Sequence, residues 1–428
     1  MRACIRRGAA QIGGTCIELE SQGSRIVLDV GLPLDADPDP DLLPAVPGLA
    51  VPDESLLAVF VSHAHRDHYG LLPFAGARPR VFMGRDAARM LEAASLFWPE
   101  PAGIGETEPL EHRVPVTRGP FRVTPYLVDH SAYDGYALLV EADGGRVLYS
   151  GDLRAHGRKG KLFEQLLRER IDDLDVLLLE GTTLGRPEYE TYPTETDIEM
   201  QMAATCKENS GLVLVWASAM NIDRLVTIFR ATRRSGRTLI LDMYAAAVLR
   251  ATGNPHLPQA EWPQVRVYLP RSQKRGIVRA EAFELSQSFA AQRIYPERLA
   301  AFAAGSVMLF RPGMMQELEE AQCLEGAQLI YSMWTGYLDE DRQKSFRDWL
   351  RRLSIPMTVC HTSGHASPKD LRRLAQALKP RTVVPVHSEV PERYLELYDN
   401  VTLSADGEWW PVGAGPLNAA HPAGHSPE

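Results

Sequence analysis

Residues 62–70 read SHAHRDHYG and place three histidines and an aspartate within six positions, at His63, His65, Asp67 and His68. The apolar run LLAVFV comes directly before them. In a β-strand, residues two apart point to the same side, so His63 and His65 can converge if the strand continues through them. Asp67 and His68 would then lie in the turn that follows. Imidazole and carboxylate are typical zinc ligands, so the stretch predicts a metal site rather than a histidine-rich polar loop.

Four neighbouring ligands cannot fill two metal sites, because each metal needs three or more protein ligands and an open position for water. Further ligands are expected where other β-type runs end, since one edge of a layered fold collects its site residues. The runs YLVDH, RVLYSGD and RTVVPVH end at His130, Asp152 and His387. Alone, each of these residues is more often structural than a ligand, but their common position favours a shared site.

The 428 residues are enough for two domains, or for one large domain with an insertion. Short β-type runs separated by Gly, Pro and Asp dominate the first part. After about residue 190, helical stretches alternate with buried strand-like runs, which is typical of an α/β unit with a mainly parallel sheet. A helix–strand pattern returns from about residue 345, and the small, Pro-rich end from about residue 413 predicts a disordered tail.

Composition narrows the classes of protein. The net charge of −9 is not typical of a nucleic-acid-binding protein, although a local basic lining can act within an acidic chain. Five scattered cysteines without a CxxC pair argue against a disulfide framework or a thiolate zinc site and favour the reducing cytoplasm. The N-terminus MRACIRRGAAQIGG and the later apolar runs are too short or too polar for a signal peptide or a membrane span, so no membrane association is expected.

The pattern HxHxDH followed by His130, Asp152 and His387 resembles the ligand motifs of the metallo-β-lactamase fold. More narrowly, it resembles the β-CASP nucleases, a group that includes ribonuclease J and the endonuclease of eukaryotic mRNA 3′-end cleavage. Further motifs are similar to those of this group. They are the first acidic motif at Asp29 in IVLDVG, motif A at Glu180 in LLLEGTT, motif B at His365 in HTSGHASPKDL and motif C at His387 in VVPVHSE.

The resemblance covers nearly the whole chain and implies an α/β fold. This fold is a metallo-β-lactamase αββα sandwich with an inserted β-CASP α/β domain. Residues 1–190 would form the first part of the sandwich, 191–344 the insertion, and 345–428 the completion of the sandwich with the tail. Ser388 stands where the ribonuclease J group usually has glycine, a small change that leaves the ligand His387 intact.

The resemblance also implies two metal ions, zinc or alternatively manganese, which suit mixed imidazole and carboxylate ligands. A metal pair lowers the pKa of a bound water, supplies hydroxide and stabilises charge on the phosphoryl oxygens. Asp29 is expected to orient the histidine loop from outside the ligand set, or simply to end a strand at a turn. The implied ligands are His63, His65 and His130 for one ion and Asp67, His68 and His387 for the other, with Asp152 bridging.

Four residues are expected to take part in catalysis: Asp67, Asp152, Glu180 and His365. His365 is the candidate general acid, and the Glu180 carboxylate would keep its imidazole protonated and oriented. Ser363 would bind a substrate phosphate together with the backbone of Gly364. The alternative for the Ser–Gly pair is an ordinary tight turn.

Histidine in motif C goes with the RNA-processing members of the group, which favours single-stranded RNA as the substrate. Arg154 and Arg158, in LRAHGRKGK, could line a groove for the phosphate backbone, or could lie in a solvated loop. The aromatic residues of YSMWTGYL are expected to be core residues rather than to stack on bases, and His156 is expected at the surface.

Three functions remain open at this point. The first is a ribonuclease that cuts internally, from the 5′ end, or both. The second is a DNA nuclease or a hydrolase of small phosphodiesters or esters of the same fold. The large insertion and the motifs at Glu180, His365 and His387 argue against a small-ester hydrolase. The third is a non-catalytic RNA-binding subunit, which would be expected to lack ligands. The sequence does not fix the oligomeric state, and a homodimer is one option.

Overall fold

The computed structural model describes residues 1–98, 104–186 and 191–413. The predicted disordered tail falls, from residue 414 onward, outside these residues. The strands are β1 (Arg2–Arg7), β2 (Cys16–Ser21), β3 (Ser24–Leu28), β4 (Leu56–Phe60), β5 (Val81–Gly84), β6 (Thr107–Leu110), β7 (Val116–Arg118), β8 (Phe121–Leu127), β9 (Tyr136–Ala142), β10 (Gly145–Tyr149), β11 (Val176–Glu180), β12 (Val213–Trp216), β13 (Thr238–Asp242), β14 (Val265–Tyr268), β15 (Arg293–Ile294), β16 (Ser306–Leu309), β17 (Gln328–Tyr331), β18 (Met357–Val359), β19 (Thr382–Val386) and β20 (Trp409–Pro411).

The helices connect and cover these strands. They are α1 (Arg66–Tyr69), α2 (Arg85–Ser95), α3 (Gly160–Leu166), α4 (Glu195–Glu208), α5 (Ile222–Arg234), α6 (Met243–Ala251), α7 (Arg271–Arg279), α8 (Phe283–Ser288), α9 (Pro296–Phe302), α10 (Met315–Glu320), α11 (Gly336–Asp339), α12 (Lys344–Arg352) and α13 (Pro368–Leu378). Short 3-10 turns lie between several of them. Within the described part of the chain, no helix combines the length and apolar character needed to cross a membrane.

Two sheets pack face to face. The first has the strand order β20-β1-β2-β3-β4-β5-β6 and the second the order β19-β11-β10-β9-β8-β7. Strand alternation explains the layers: in β11, Val176 and Leu178 point into the core between the sheets, whereas Leu177 and Leu179 pack beneath α3 and α13. Because both faces of β11 are buried, its sequence VLLLE is apolar almost throughout. With α2 outside the first sheet, the four layers match the predicted sandwich.

The third sheet is built mainly from the middle of the chain and is entirely parallel, with the order β15-β14-β13-β16-β12-β17-β18. Helices cover both of its faces. The sheet continues past the predicted boundary at residue 344, because β18 pairs with β17 and α12 packs on the same unit. The return to the sandwich therefore begins after Val359.

The inserted unit and the sandwich share one apolar core. Met90 and Leu91 of α2 belong to the same buried cluster as Val248 and Leu249 of α6. The seam between the units is therefore packed like an interior and fixes the position of the insertion beside the ends of the sandwich strands.

Candidate metal centre

The histidine-rich stretch is not a continuation of the strand that precedes it. β4 ends at Phe60, and His63 and His65 lie in the loop between β4 and α1. Asp67 and His68 lie in the first turn of α1 rather than in an open turn. The expectation that strand alternation aligns His63 and His65 is therefore wrong. The loop positions these two histidines, and the helical turn after it positions Asp67 and His68.

The more distant candidates all follow the carboxyl ends of strands. His130 comes after β8, Asp152 after β10, and His387 directly after β19. Glu180 is the last residue of β11. Strand ends from one edge of the second sheet thus bring these side chains to the loop that holds His63 and His65.

One group of possible ligands consists of His63, His65, His130 and Asp152, whose ligand atoms all lie within 4.8 Å of one another. The His65 Nδ1 atom lies 3.2 Å from His63 Nε2 and 3.1 Å from His130 Nε2. The Asp152 Oδ2 atom lies 3.6 Å from His63 Nε2 and 3.8 Å from His130 Nε2. Three imidazole nitrogens and a carboxylate at such distances suit a zinc ion.

A second group contains Asp67, His68, His387 and again Asp152, with the same 4.8 Å limit. The Asp152 Oδ2 atom lies 3.2 Å from His68 Nε2 and 3.8 Å from His387 Nε2. The Asp67 carboxylate lies 3.5 Å from His387 Nε2 and 3.8 Å from His68 Nε2. Asp152 therefore belongs to both groups, which is the position of a bridging ligand.

Hydrogen bonds from outside the two groups fix the ring orientations. Asp29 Oδ2 lies 2.8 Å from His68 Nδ1 and accepts a hydrogen bond from the Tyr149 hydroxyl at 2.7 Å. Thr15 Oγ1 lies 2.7 Å from His387 Nδ1. With Nδ1 engaged, the Nε2 atoms of both histidines face Asp152. A ligating imidazole normally bonds its other nitrogen in this way, which sets its tautomer and basicity.

Four buried atoms of the two groups lack hydrogen-bond partners within the described structure. No hydrogen bond reaches His68 Nε2, His387 Nε2 or either carboxylate oxygen of Asp152. Each unsatisfied buried polar atom costs about 1–3 kcal/mol, and more if it is charged. Divalent cations would satisfy all of these atoms at once, so the donor set fits a metal pair.

The pKa values of the histidines agree with metal ligation. Burial lowers the pKa of His63 and His130 well below the usual value and that of His65 to about 4, so these imidazoles are neutral. Neutral imidazole is the form that binds metals. Burial also opposes a charge on His68, but the carboxylates of Asp152 and Asp67 outweigh it and raise the pKa of His68 well above normal. That position favours positive charge, which a divalent cation also supplies.

A third group joins Asp152 to Glu180 and His365. The His365 Nδ1 atom lies 3.3 Å from Glu180 Oε2 and 3.6 Å from Asp152 Oδ2. Burial alone would lower the pKa of His365, but the Glu180 and Asp152 carboxylates together raise it. His365 is 19% exposed, so its ring borders both the buried carboxylates and the solvent. This arrangement can hold a transferable proton beside the two ligand groups.

The loop of His365 is held by its neighbours Ser363 and Gly364. The Ser363 hydroxyl accepts a hydrogen bond from the His365 backbone N–H at 3.1 Å, and the Gly364 carbonyl lies 2.6 Å from His130 Nδ1. A Cβ atom at Gly364 would lie 2.6 Å from the Ser131 hydroxyl, so glycine permits this close approach. These bonds describe a tight turn, and contact of Ser363 and Gly364 with a substrate phosphate remains a prediction.

The expectation that Arg154 lines a groove for phosphate is wrong. Arg154 is fully buried, and its guanidinium donates to Asp223 at 2.8 Å and to Asp129 at 3.3 Å. A further bond of 3.1 Å reaches the Ser363 carbonyl. The arginine therefore ties the sandwich to the inserted unit and to the His365 loop. We call Asp129, Arg154, Glu195, Asp223 and Arg224 the interdomain charge cluster.

Arg158 has a similar structural role. Its guanidinium donates to Glu199 and Thr227 at 2.8 and 2.7 Å, and its side chain is only 12% exposed. His156 is not at the surface but is buried, with Nε2 2.9 Å from the Ser363 carbonyl. Arg158 and His156 were both misplaced for one reason. Their hydrogen-bond partners Glu199, Thr227 and Ser363 lie far along the chain, so the local sequence does not reveal them.

Sequence reasoning named Asp29 but missed two other residues that help to hold the rings, and it misplaced two aromatic side chains. Thr15 and Tyr149 carry no local signal of their role. Tyr331 is buried as expected, but Trp334 and Tyr337 are 44% and 39% exposed. A change from strand to loop after Tyr331 explains the difference, since the strand ends there.

Two protein-family models match the chain. The first, described as a beta-lactamase superfamily domain, matches residues 32–240. The second, described as a Zn-dependent metallo-hydrolase RNA specificity domain, matches residues 355–393 and so includes His365 and His387.

Curated relatives and a solved structure agree with these models. Ribonuclease J of Sinorhizobium meliloti is 24% identical over 85% of this chain and 64% of its own length. Ribonuclease J of Helicobacter pylori is 22% identical over 95% of this chain and 60% of its own length. The chain thus spans about three fifths of these relatives. A crystal structure of a protein of unknown function from Enterococcus faecalis shares the fold, with a TM-score of 0.79, 23% identity and coverage of 96% of this chain and 99% of that one.

The family matches cover the segments that carry the ligand groups, and the fold agrees over nearly the whole chain. The chain belongs to the metallo-β-lactamase-fold β-CASP family and is similar to ribonuclease J.

Proposed function

We propose that this protein is a metal-dependent nuclease that hydrolyses phosphodiester bonds in single-stranded RNA. One observation carries the proposal: two ligand groups share Asp152, and the Glu180–His365 pair lies directly beside them. The similarity to proteins named ribonuclease J and the RNA specificity domain over residues 355–393 support RNA as the substrate.

The ligands named above would hold two zinc ions, or manganese in their place, because imidazole and carboxylate suit both metals. When bound, such a metal pair lowers the pKa of water and neutralises charge on the phosphoryl oxygens. Asp152 contributes to both sites, and Asp67 contributes to the second. Asp29 and Thr15 keep the rings of His68 and His387 in their ligating orientation.

The protein's own proton chemistry centres on His365. Its imidazole, protonated under the influence of Glu180, would donate a proton to the oxygen that leaves the phosphorus. Glu180 is itself fixed, since its carboxylate accepts hydrogen bonds from the backbone N–H groups of Leu153 and Thr182. Glu180 therefore acts by positioning His365 rather than by touching the substrate.

The test combines metal analysis with labelled single-stranded RNA and DNA oligonucleotides that carry either a 5′-phosphate or a 5′-hydroxyl. The proposal expects about two metal ions per chain and degradation of RNA. Cleavage of DNA alone would favour a DNA nuclease, and metal binding without hydrolysis of either would favour a binding subunit. Either result would overturn the proposal. The product lengths distinguish internal cleavage from stepwise cleavage at the 5′ end.

A further inference from the structure

Two exposed aromatic side chains and an arginine lie together where the sandwich meets the inserted unit. Trp334 and Tyr337 contact each other edge to face, with ring centroids 5.2 Å apart. The Arg186 guanidinium lies 5.1 Å from the Trp334 ring, in cation–π range. We call Arg186, Trp334 and Tyr337 the aromatic patch. Large aromatic surfaces left open to water often mark binding sites.

Side-chain hydrogen bonds to backbone carbonyls place the segments of the aromatic patch beside the metal centre. The turn that carries Arg186 packs on the segment after His387, because the Leu184 carbonyl accepts a 3.0 Å hydrogen bond from Arg393. On the other side, the Ser332 hydroxyl, two residues before Trp334, donates to the Cys360 carbonyl at 2.6 Å at the start of the His365 loop. The patch therefore borders both loops.

Electrostatic effects agree with this position. The Tyr337 phenol has a raised pKa, chiefly because of burial and next because of the Asp67 carboxylate. Tyr337 is thus close enough to Asp67 to be affected by its charge, which agrees with a position of the patch beside the centre.

The indole of Trp334 already packs against Tyr337 and Arg186, and its backbone is anchored as well. Its backbone carbonyl accepts a 3.1 Å hydrogen bond from the hydroxyl of the buried Tyr331. A Cβ atom at Gly336 would overlap three carbons of the indole, so glycine leaves the space that the ring occupies. A ring fixed in this way loses little entropy when another planar group stacks on it.

We propose that the aromatic patch is a stacking site for one base of a single-stranded RNA whose scissile phosphate lies at the metal centre. The inference rests on the proposed function. Bases of single-stranded nucleic acids stack on aromatic rings and arginine planes with little sequence preference. The patch offers both kinds of surface within one base-sized area. A base held there would fix the position of the adjoining phosphate relative to His365.

The test compares Trp334→Ala and Trp334→Phe with Tyr295→Ala. Tyr295 is a matched control, because it is 49% exposed with Arg293 5.1 Å from its ring, yet it follows β15 at the opposite edge of the third sheet. Binding is measured in a His365→Ala background by fluorescence anisotropy, with one RNA in which a single abasic site is moved along the strand. KM and kcat for cleavage are measured in the wild-type background.

The expected result is roughly 5- to 100-fold weaker binding for Trp334→Ala, with near-normal binding for Trp334→Phe and Tyr295→Ala. An abasic site at one position of the RNA should weaken binding to the His365→Ala protein by a similar factor. The same abasic site should weaken binding little further when the protein also carries Trp334→Ala. In cleavage, Trp334→Ala should raise KM more than it lowers kcat. A DNA strand of the same sequence should show the same Trp334 dependence, since stacking does not read the sugar.

Unchanged RNA binding by Trp334→Ala, or an equal loss of binding in Tyr295→Ala, would overturn the stacking site. If the wild type still cleaves RNA in that case, the nuclease proposal stands. Binding that depends on Trp334 without any hydrolysis would support the stacking site and overturn the nuclease proposal. A wild type that binds neither RNA nor DNA would overturn both. Thermal melting of each variant distinguishes a lost contact from lost folding.

Discussion

Two buried clusters of charged residues lie within a few residues of each other along the chain, yet they are satisfied in different ways. In the interdomain charge cluster, Arg154 and Arg224 meet the carboxylates of Asp129, Asp223 and Glu195, and Lys159 adds a further cation near Asp223. Protein groups there neutralise one another, although one oxygen of Asp129 lacks a partner in the described structure.

In the metal centre the carboxylates face imidazoles, most of which burial keeps neutral. His68 and His365, whose pKa values nearby carboxylates raise, supply part of the positive charge that faces Asp67 and Asp152, and bound cations would supply the rest. Burial of charge therefore does not by itself indicate a binding site. What distinguishes the two regions is whether the buried atoms already have partners.

The largest effect is expected for Asp152→Asn, because Asp152 belongs to both ligand groups. The neutral amide removes the shared negative charge and a ligand from each site. Metal content should fall well below that of the wild type, and RNA cleavage should fall to background. Elemental analysis of dialysed protein with a labelled oligonucleotide assay measures both. Normal metal content in this variant would contradict the bridging role.

His365→Ala should separate catalysis from metal binding. The variant keeps every ligand of the two groups, so its metal content should equal that of the wild type. Loss of a general acid typically slows a reaction by about 10²–10⁴-fold. His256→Ala, a change at an exposed histidine, is the control and should cleave normally. Full cleavage by His365→Ala with intact metal content would remove His365 from the mechanism.

Arg154→Met tests the interdomain charge cluster, the other of the two regions. The substitution leaves Asp223 and Asp129 buried with less compensation, and breaking a buried ion pair in this way costs about 3–5 kcal/mol. The free energy of unfolding in urea should fall by that amount, and the loss relative to the wild type should persist when chelator is present in both samples. Arg230→Met is the control, because Arg230 is exposed and makes only a 3.9 Å contact with Glu199. Equal losses in the two variants would show that Arg154 has no special role.

The smallest effect should appear in the pH dependence of stability. Burial alone would raise the pKa of Glu195, but the Arg224 guanidinium outweighs it and holds the pKa at about 2. The ionised Glu195 therefore stabilises the fold at pH values above the ordinary glutamate pKa of about 4.3, and this contribution disappears as the pH falls toward 2. The difference in unfolding free energy between wild type and Glu195→Gln should shrink over that interval. A constant difference would assign the effect to packing alone.

The grouping of the candidate ligands could be predicted from sequence in part because the distant ones obey a local rule. His130, Asp152 and His387 each follow an apolar strand, and the ends of neighbouring strands meet in space. The four-layer sandwich was predicted from the resemblance of the motifs to the metallo-β-lactamase fold, whereas local periodicity predicted only a β-rich first part and a mainly parallel sheet in the middle of the chain.

The role of Arg154 could not be predicted in this way. Its partner Asp223 lies 69 residues away in the inserted unit, and Glu195 lies 41 residues away. An arginine in a basic stretch looks solvated until such carboxylates are brought to it. Trp334 illustrates the opposite error, because proximity to a buried strand suggested a core position, whereas the chain turns outward after Tyr331.

The apolar core that α2 and α6 share has a mechanical consequence. Swinging the insertion away from the sandwich would expose Met90 and Val248 to water and would pull Arg154 out of its ion pairs. Both penalties oppose hinge motion at this seam. The position of the inserted unit beside the candidate metal centre is thus set when the chain folds.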